Sequence, residues 1–331
     1  MSADHQIGPV AALGFWSAVA FAAALYGTWL GYGGREFAIA LGVFAFFLAV
    51  EILVAARGVG ERLAGLFDSR RGLWPALALV PIPLIAYLIY ALGTNSFLWR
   101  RAGLVTAFVV LPALLVASAR RRPFGAWQDY AALVAIWLPV KFRLLQPLWP
   151  YPDGRLGYVL TTLLALSVAI VAFFFLRGLD GVGYSITWGR SLAYAVGVNF
   201  VVPAVILIPL GQWIGFIRFG PLYGQLKSLP LVALGIFFFT AWPEELLFRG
   251  LLQNLLSRTL RNATIGWLAA AAVFGFAHIT NGRFPNWRYV LLATIAGVFY
   301  GRAWRQTGSI FASALVHMLV DMTWHFFFRT L

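Results

Sequence analysis

The sequence predicts an all-α polytopic membrane protein with about eight to eleven transmembrane helices. Hydrophobic residues make up 61% of the 331 residues, and only 11% are charged, whereas about a quarter of a soluble domain is charged. The mean hydropathy is +0.83. Apolar runs long enough to cross a bilayer, roughly 17 to 25 residues, recur along the whole chain. These observations exclude an ordinary soluble domain.

Each predicted helix corresponds to one apolar run. A segment in lipid must satisfy its backbone hydrogen bonds internally, so it forms a helix or part of a closed barrel. The runs show no alternation of polar and apolar residues, which excludes the barrel. A further segment, 126–149, contains Pro139, Lys141, Arg143 and Pro147, and it is compatible with a crossing, a re-entrant or an interfacial placement. The uninterrupted runs lie near residues 11–31, 37–56, 73–92, 103–119, 156–176, 191–215, 230–256, 264–280, 286–302 and 308–328.

The positive charge of the chain is concentrated near the ends of the predicted helices. The formal net charge is +14, and groups of arginine at 57–71 and 120–122 follow apolar runs. Arginines near helix ends set the orientation of the helices in the membrane and contact lipid headgroups. We therefore predict that the positive charge interacts with the lipid bilayer and not with nucleic acid. If these groups face the cytoplasm, the N-terminus lies there too. Arginine outnumbers lysine by 23 to 2, which is typical of a high-GC genome, and we expect the cytoplasmic (inner) membrane of a bacterium.

The sequence lacks cysteine, and its first residues lack basic side chains. The sequence contains no cysteine, which excludes disulfides, thiolate metal sites and cysteine nucleophiles. The first residues, MSADHQ, contain no lysine or arginine, unlike the start of a cleavable signal peptide. We therefore expect the first helix to stay as an anchor.

Ionisable side chains inside apolar segments are the main functional signal. Burying such a group in lipid costs several kcal/mol, so these residues mark functional sites by default. Glu51 lies in an apolar run but close to Arg57 and to a helix end, and we interpret it as an anchored, snorkelling carboxylate. Most other acidic residues, such as Asp129, are expected in polar connections. The other ionisable side chains within apolar segments lie in the last third of the chain, and they are Glu244, Glu245, His278, His317, Asp321 and His325.

Glu244 and Glu245 belong to the predicted helix FFFTAWPEELLFRGLLQNLL. Glu245 and Arg249 are four residues apart and share a helix face, where they can pair. Glu244 points about 100° away and is left to face the interior of the bundle as a candidate general base. Pro243 has no N–H for the carbonyl of Phe239, which predicts a local opening of the helix. Taken alone, the motif is equally compatible with an interfacial ion pair.

The histidines belong to two further predicted helices. His278 ends the segment WLAAAAVFGFAHITN, whose small residues let neighbouring helices pack closely; a structural, hydrogen-bonded histidine is the alternative interpretation. In SALVHMLVDMTWHFFF, His317, Asp321 and His325 recur every four residues on one stripe, which faces protein or water rather than lipid. His325 lies close to Arg329 near the end of the chain, so we interpret it as an interfacial bystander.

Three motifs together carry a family resemblance. They are EELLFRG at 244–250, FGFAH at 274–278 and HMLVD at 317–321. In this order they resemble the E-E-x-x-x-R, F-x-x-x-H and H-x-x-x-N/D motifs of the CPBP family, which contains the type II CAAX prenyl endopeptidases and the bacteriocin-processing or Abi proteins. The segment ATIAGVFYGRAWRQTGSIFASALVH between the last two motifs also resembles the family. The resemblance implies a C-terminal core of four helices around a conical polar cavity.

The resemblance also implies an intramembrane glutamic endopeptidase that uses no cofactor and no metal. The first glutamate of the pair would activate water, and the first histidine would bind and orient that water. The second glutamate and the arginine would hold the first glutamate and shape the substrate cleft. The final histidine and aspartate would face the developing oxyanion. Carried onto this chain, these catalytic positions are Glu244, Glu245, Arg249, His278, His317 and Asp321.

Other mechanisms and functions are compatible with the same residues. Asp321 stands where the family also has asparagine, and an ionised carboxylate cannot donate to an oxyanion; either it is protonated or it orients His317. A zinc site could be built from Glu244, His278 and His317, or from the stripe that ends at His325. A proton-coupled transporter and a non-catalytic scaffold or immunity protein are the alternatives of other classes.

We expect two regions with different roles. Residues 1–190 form an N-terminal transmembrane extension without paired intramembrane charges or a catalytic constellation. Residues 191–331 form the protease core. The predicted substrate is a membrane-associated protein or peptide.

Overall fold

The computed structural model describes residues 5–67, 77–154 and 156–331. Helices make up most of these ranges, so the predicted all-α class is confirmed. In chain order the helices are α1 Pro9–Trp29, α2 Gly34–Val54, α3 Val59–Leu66, α4 Pro81–Gly93, α5 Trp99–Ser118, α6 Trp127–Lys141, α7 Gly157–Leu176, α8 Arg190–Trp213, α9 Tyr223–Thr259, α10 Ala263–Phe276, α11 Trp287–Thr307 and α12 Ile310–Phe327.

Seven helices of the described chain are long and apolar enough to cross a membrane. They are α1, α2, α5, α7, α8, α9 and α12, and the shorter helices α4 and α10 are apolar as well. Each predicted apolar run overlaps a helix, although residues 78–80 and 277–280 of two runs form turns. Residues 1–4, 73–76 and the arginines at 70 and 71 lie outside the described residues. Segment 126–149 contains α6 and the short 3₁₀ turn Gln146–Leu148. The chain is thus an integral multi-pass membrane protein.

The chain folds as two compact units, of which the first is Ile7–Asp180. Helix α7 is central to this unit, since 83% of its span is buried and α2, α5 and α6 pack against it. The ring of Trp149 lies at the centre of an aromatic cluster. Its centroid is 6.4 Å from that of Phe47, 5.5 Å from that of Tyr87 and 4.9 Å from that of Tyr90.

Two buried acidic residues of the first unit correct the interpretation of the sequence. Asp129 was expected in a polar connection, but it is fully buried in the first turn of α6 and accepts from Nε of Arg177 at 2.6 Å. Arg177 also donates to the carbonyls of Arg122 and Pro123. The two partners of this ion pair lie 48 residues apart, so no local pattern of the sequence predicts it. Glu51 is also fully buried, so it does not snorkel.

The second unit comprises Gly181–Leu331 and the first strand. Helix α11 packs against α8, α10 and α12. Gly275 permits the close approach of α10 to α11, because an added Cβ would lie 2.7 Å from the carbonyl oxygen of Val290 and would collide with Thr294. Two short antiparallel strand pairs complete the unit, β1 His5–Gln6 with β2 Thr187–Trp188, and β3 Ile217–Phe219 with β4 Phe328–Thr330.

Helix α9 departs from regular α geometry around its two glutamates. The π-helical segments Phe237–Ala241 and Leu246–Gln253 flank the regular turn Trp242–Glu245. Pro243 lies in that turn and cannot donate to the preceding turn, so the predicted local opening is confirmed. Single π-helical turns are frequent at functional sites.

Candidate active site

Three segments of the second unit carry the predicted site residues. Helix α9 carries the two glutamates and the arginine, the turn after α10 carries the first histidine, and α12 carries the remaining pair. The three segments meet through the contacts of Glu245 with Arg249 and His317, and through the ring of Phe274, which packs against Arg249, His278 and His317.

Glu245 is completely buried and accepts hydrogen bonds from three side chains. Its Oε1 atom lies 2.9 Å from Nη1 of Arg249 and 2.9 Å from Nδ1 of His317. Its Oε2 atom accepts from the hydroxyl of Ser313, which also lies 2.9 Å from the carbonyl oxygen of Tyr300. A buried carboxylate is stable only when its charge is balanced and its lone pairs are used. Glu245 meets both conditions and joins α9 to α12.

Arg249 connects the same carboxylate to α11. Its Nη2 atom donates to the carbonyl of Gly297 at 3.0 Å, and the guanidinium lies 4.4 Å from the ring centroid of Phe274 and 5.3 Å from that of Tyr300. An added Cβ at position 297 would lie 3.2 Å from Nη2. The planar, multiply donating guanidinium fits this arrangement better than a point charge would.

His317 faces a carboxylate through each ring nitrogen. Nδ1 contacts Glu245, and Nε2 lies 3.5 Å from Oδ2 of Asp321. The imidazole stacks on Tyr300 with a centroid distance of 4.6 Å and an interplanar angle of 19°. The contact with Asp321 is longer than a normal hydrogen bond of about 2.7–3.2 Å. The Nε2–H group is therefore only weakly engaged.

A cavity of about 100 Å³ lies against these residues. His278 lines it, and Nδ1 of this ring contacts the carbonyl oxygen of Phe274 at 2.8 Å. Because a carbonyl only accepts, Nδ1 carries a hydrogen and Nε2 of the neutral ring is an acceptor. The remaining wall is mostly aromatic and aliphatic, with polar atoms from His317, Asp321, Tyr289 and Tyr300. Such a lining suits a small polar reaction centre in apolar surroundings.

Glu244, the neighbour of Glu245 in the chain, is less deeply buried. It is half-buried, and its charge acts on Arg249 and on Tyr289, which is part of the cavity wall. Two adjacent carboxylates therefore have different surroundings.

Sequence reasoning missed three members of the group. Ser313 lies four residues before His317, so the helical stripe could have been extended to it. Tyr289 and Tyr300 lie against the histidines because of the way α11 packs. No local sequence pattern marks either tyrosine as a member of the site. His325 is exposed and its ring packs against Phe326, as expected of a bystander.

The donor sets considered for zinc are not assembled. Within the described ranges, no three His, Asp or Glu side chains converge as ligands for one ion. Both ring nitrogens of His317 already face carboxylates, those of Glu245 and Asp321. The exposed His325 lies outside the group.

Comparison with known families finds a match to the part of the chain that contains the three motifs. Residues 226–323 match the family described as type II CAAX prenyl endopeptidase, Rce1-like. The match includes most of α9, all of α10 and α11 and most of α12, and it contains the whole EELLFRG, FGFAH and HMLVD segments. Comparison with curated proteins and with solved structures gives no match. Residues 226–323 of this membrane protein are thus similar to the Rce1-like type II CAAX prenyl endopeptidases.

Proposed function

We propose that the chain is an intramembrane glutamic endopeptidase that hydrolyses a peptide bond of a membrane-associated protein or peptide. The observation that carries the proposal is the different surroundings of two adjacent carboxylates. The carboxylate of Glu245 is hydrogen-bonded to Arg249, His317 and Ser313. Glu244 is half-buried, and its charge acts on Tyr289 in the cavity wall. When two neighbouring carboxyl groups have such different environments, they commonly have different roles. Here we assign a structural role to Glu245 and a catalytic role to Glu244.

Glu244 acts as the general base in this mechanism. It takes a proton from a water molecule that donates its other hydrogen to Nε2 of His278. The hydroxide oxygen bonds to the carbonyl carbon of the substrate, and the C=O electron pair moves onto the carbonyl oxygen. The protonated Glu244 then gives its proton to the amide nitrogen as the C–N bond breaks, which releases an amine and a carboxylic acid.

His317 stabilises the oxyanion of the tetrahedral intermediate. Its Nε2–H group borders the cavity and is weakly engaged at 3.5 Å from Asp321. A donor directed at the developing charge lowers the barrier without reorganisation. The ion pair with Glu245 keeps the ring in place. These contacts support the interpretation in which Asp321 orients His317, rather than the one in which it donates to the oxyanion itself.

The decisive experiment uses the full chain in lipid nanodiscs. The probes are internally quenched peptides that end in a CAAX sequence and are farnesylated, geranylgeranylated or unmodified. We expect the wild type to cleave at least one probe and both Glu244→Gln and His278→Ala to lose at least about 100-fold in rate. His325→Ala is the matched control, because this exposed histidine lies outside the group, and it should keep wild-type activity.

Outcomes that separate the alternatives are equally specific. Full activity of Glu244→Gln would contradict the glutamate mechanism. Activity that a strong chelator abolishes and added zinc restores would favour the zinc protease. A wild type that cleaves no probe, while Glu244→Gln and His278→Ala keep the biological function in cells, would favour a scaffold, an immunity protein or a transporter. Comparing membrane-protein termini between wild-type and Glu244→Gln cells would identify natural substrates.

We also propose the division into an extension, 1–190, and a protease core, 191–331, and a location in a bacterial cytoplasmic (inner) membrane. The boundary between the compact units at Asp180 and Gly181 supports a division close to this position. The family match lies entirely within the proposed core.

A further inference from the structure

The oxyanion side of the proposed site is short of hydrogen-bond donors. His317 offers one N–H group there, while the adjacent Asp321 is an acceptor whose negative charge opposes an oxyanion when ionised. The side-chain amide of an asparagine at this position would supply a hydrogen-bond donor. A site with Asp321 therefore benefits from another neutral donor that reaches the same cavity.

Tyr289 is held against the cavity by its ring and by its backbone. The ring centroid lies 4.7 Å from that of His278, 5.2 Å from that of Trp324 and 5.3 Å from that of Phe216. The backbone N–H of Tyr289 donates to the side chain of Asn286, the residue that caps α11. These contacts leave the ring little freedom, so the phenol has a defined position.

The phenolic group of Tyr289 lines the same cavity as Asp321. Its electrostatic neighbours are Asp321 and Glu244, and its hydrogen-bond partner is the side chain of Asn281. His278 lines the same cavity beside it. The phenol therefore borders both the place where water is activated and the place where the oxyanion forms.

Tyr300, the other tyrosine of the cavity, has different surroundings. Its ring is stacked on His317 and lies under the guanidinium of Arg249. Its ring therefore packs against the Glu245 cluster, whereas the ring of Tyr289 packs against that of His278. Tyr289 is therefore the better placed phenol for a role in the reaction.

We propose that Tyr289 is a further catalytic residue, whose phenolic O–H donates a hydrogen bond to the oxyanion together with Nε2–H of His317. This inference rests on the proposed endopeptidase function. The tyrosine stays protonated throughout: no bond to it forms or breaks, and the hydrogen bond only strengthens as charge develops on the carbonyl oxygen. Tyr289 thereby supplies the neutral donor that an asparagine would supply at position 321.

The test compares Tyr289→Phe with Glu244→Gln in nanodiscs, using the CAAX peptide that the wild type cleaves fastest. Removing one oxyanion donor should lower kcat about 100- to 1000-fold, with KM changed by less than about twofold because ground-state binding is unaffected. A phosphinate analogue of the same peptide, which mimics the tetrahedral intermediate, should bind the variant more weakly by a similar factor. Tyr194→Phe is the matched control, because Tyr194 is 74% exposed, and it should behave as wild type.

Each outcome bears on one of the two proposals. If Glu244→Gln is inactive while Tyr289→Phe keeps kcat and phosphinate affinity within about threefold of wild type, Tyr289 only packs and this inference is wrong. If Glu244→Gln is fully active, or if the wild type cleaves no peptide while Glu244→Gln and His278→Ala keep the biological function in cells, the proposed function fails and this inference fails with it. If Tyr289→Phe does not fold, trifluorotyrosine at position 289 replaces it. Its more acidic hydroxyl should add a descending limb to the kcat–pH profile, and an unchanged profile would overturn the role.

Discussion

Nδ1 of His317 lies 2.9 Å from Oε1 of Glu245, and this contact joins residues that are 72 positions apart. The motifs predicted two separate pairs, one of Glu245 with Arg249 and one of His317 with Asp321. The structure links these pairs through a shared carboxylate oxygen. The second glutamate of the motif is therefore the centre of the buried network, and its neighbour Glu244 has other surroundings.

Glu245→Gln should destabilise the protein strongly. It leaves the guanidinium of Arg249 and the imidazole of His317 buried without their shared carboxylate, and breaking a buried ion pair on one side costs about 3–5 kcal/mol. The free energy of unfolding in detergent micelles measures the effect. Glu244→Gln is the control and should unfold within about 1 kcal/mol of wild type although it does not hydrolyse peptide. Equal destabilisation by both changes would contradict the central position of Glu245.

Asp321→Asn should lower kcat about tenfold. Hydrogen bonds between charged groups contribute about 1.5–3 kcal/mol, and the lower end applies because 31% of the Asp321 side chain is exposed and the contact with His317 is 3.5 Å. About 1.4 kcal/mol corresponds to tenfold in rate. Peptide hydrolysis at saturating probe measures the change. An unchanged kcat would instead indicate that Asp321 works as a protonated donor.

Gly275→Ala should loosen the contact between α10 and α11. The new methyl group would lie 2.7 Å from the carbonyl oxygen of Val290 and would collide with Thr294, and overpacking of this kind costs about 1–3 kcal/mol of unfolding free energy. Adding Thr294→Ala should recover part of the loss. Gly197→Ala in α8, where nothing lies within 4 Å of the added atom, is the control and should not destabilise. A Gly275→Ala variant as stable as this control would show that the two helices can move apart freely.

Asp129→Asn should destabilise the first unit, because it leaves the charge of Arg177 buried. Arg177 would remain buried without its carboxylate, at a cost of about 3–5 kcal/mol. The double variant Asp129→Asn/Arg177→Met removes both charges and should be more stable than the single variant. A double-mutant cycle of unfolding free energies measures the coupling, and strict additivity of the two changes would mean that the pair contributes nothing.

The linear sequence determined the class of this protein, because each predicted helix depends only on a contiguous run of apolar residues. It also determined the residue types of the site and their order in three motifs, since helical spacing alone puts Glu245 near Arg249 and His317 near Asp321. The opening of α9 likewise follows from one local cause, the missing N–H of Pro243.

Only the tertiary structure decided how these segments face one another. The contact of Glu245 with His317, the burial of Glu51 and the pairing of Asp129 with Arg177 all depend on how helices are rotated and aligned against their neighbours. The position of Tyr289 against the ring of His278 depends on the same choice. A helical period specifies which residues share a face. Which face meets which neighbour is settled by close packing over many side chains at once, and that information is not local to any motif.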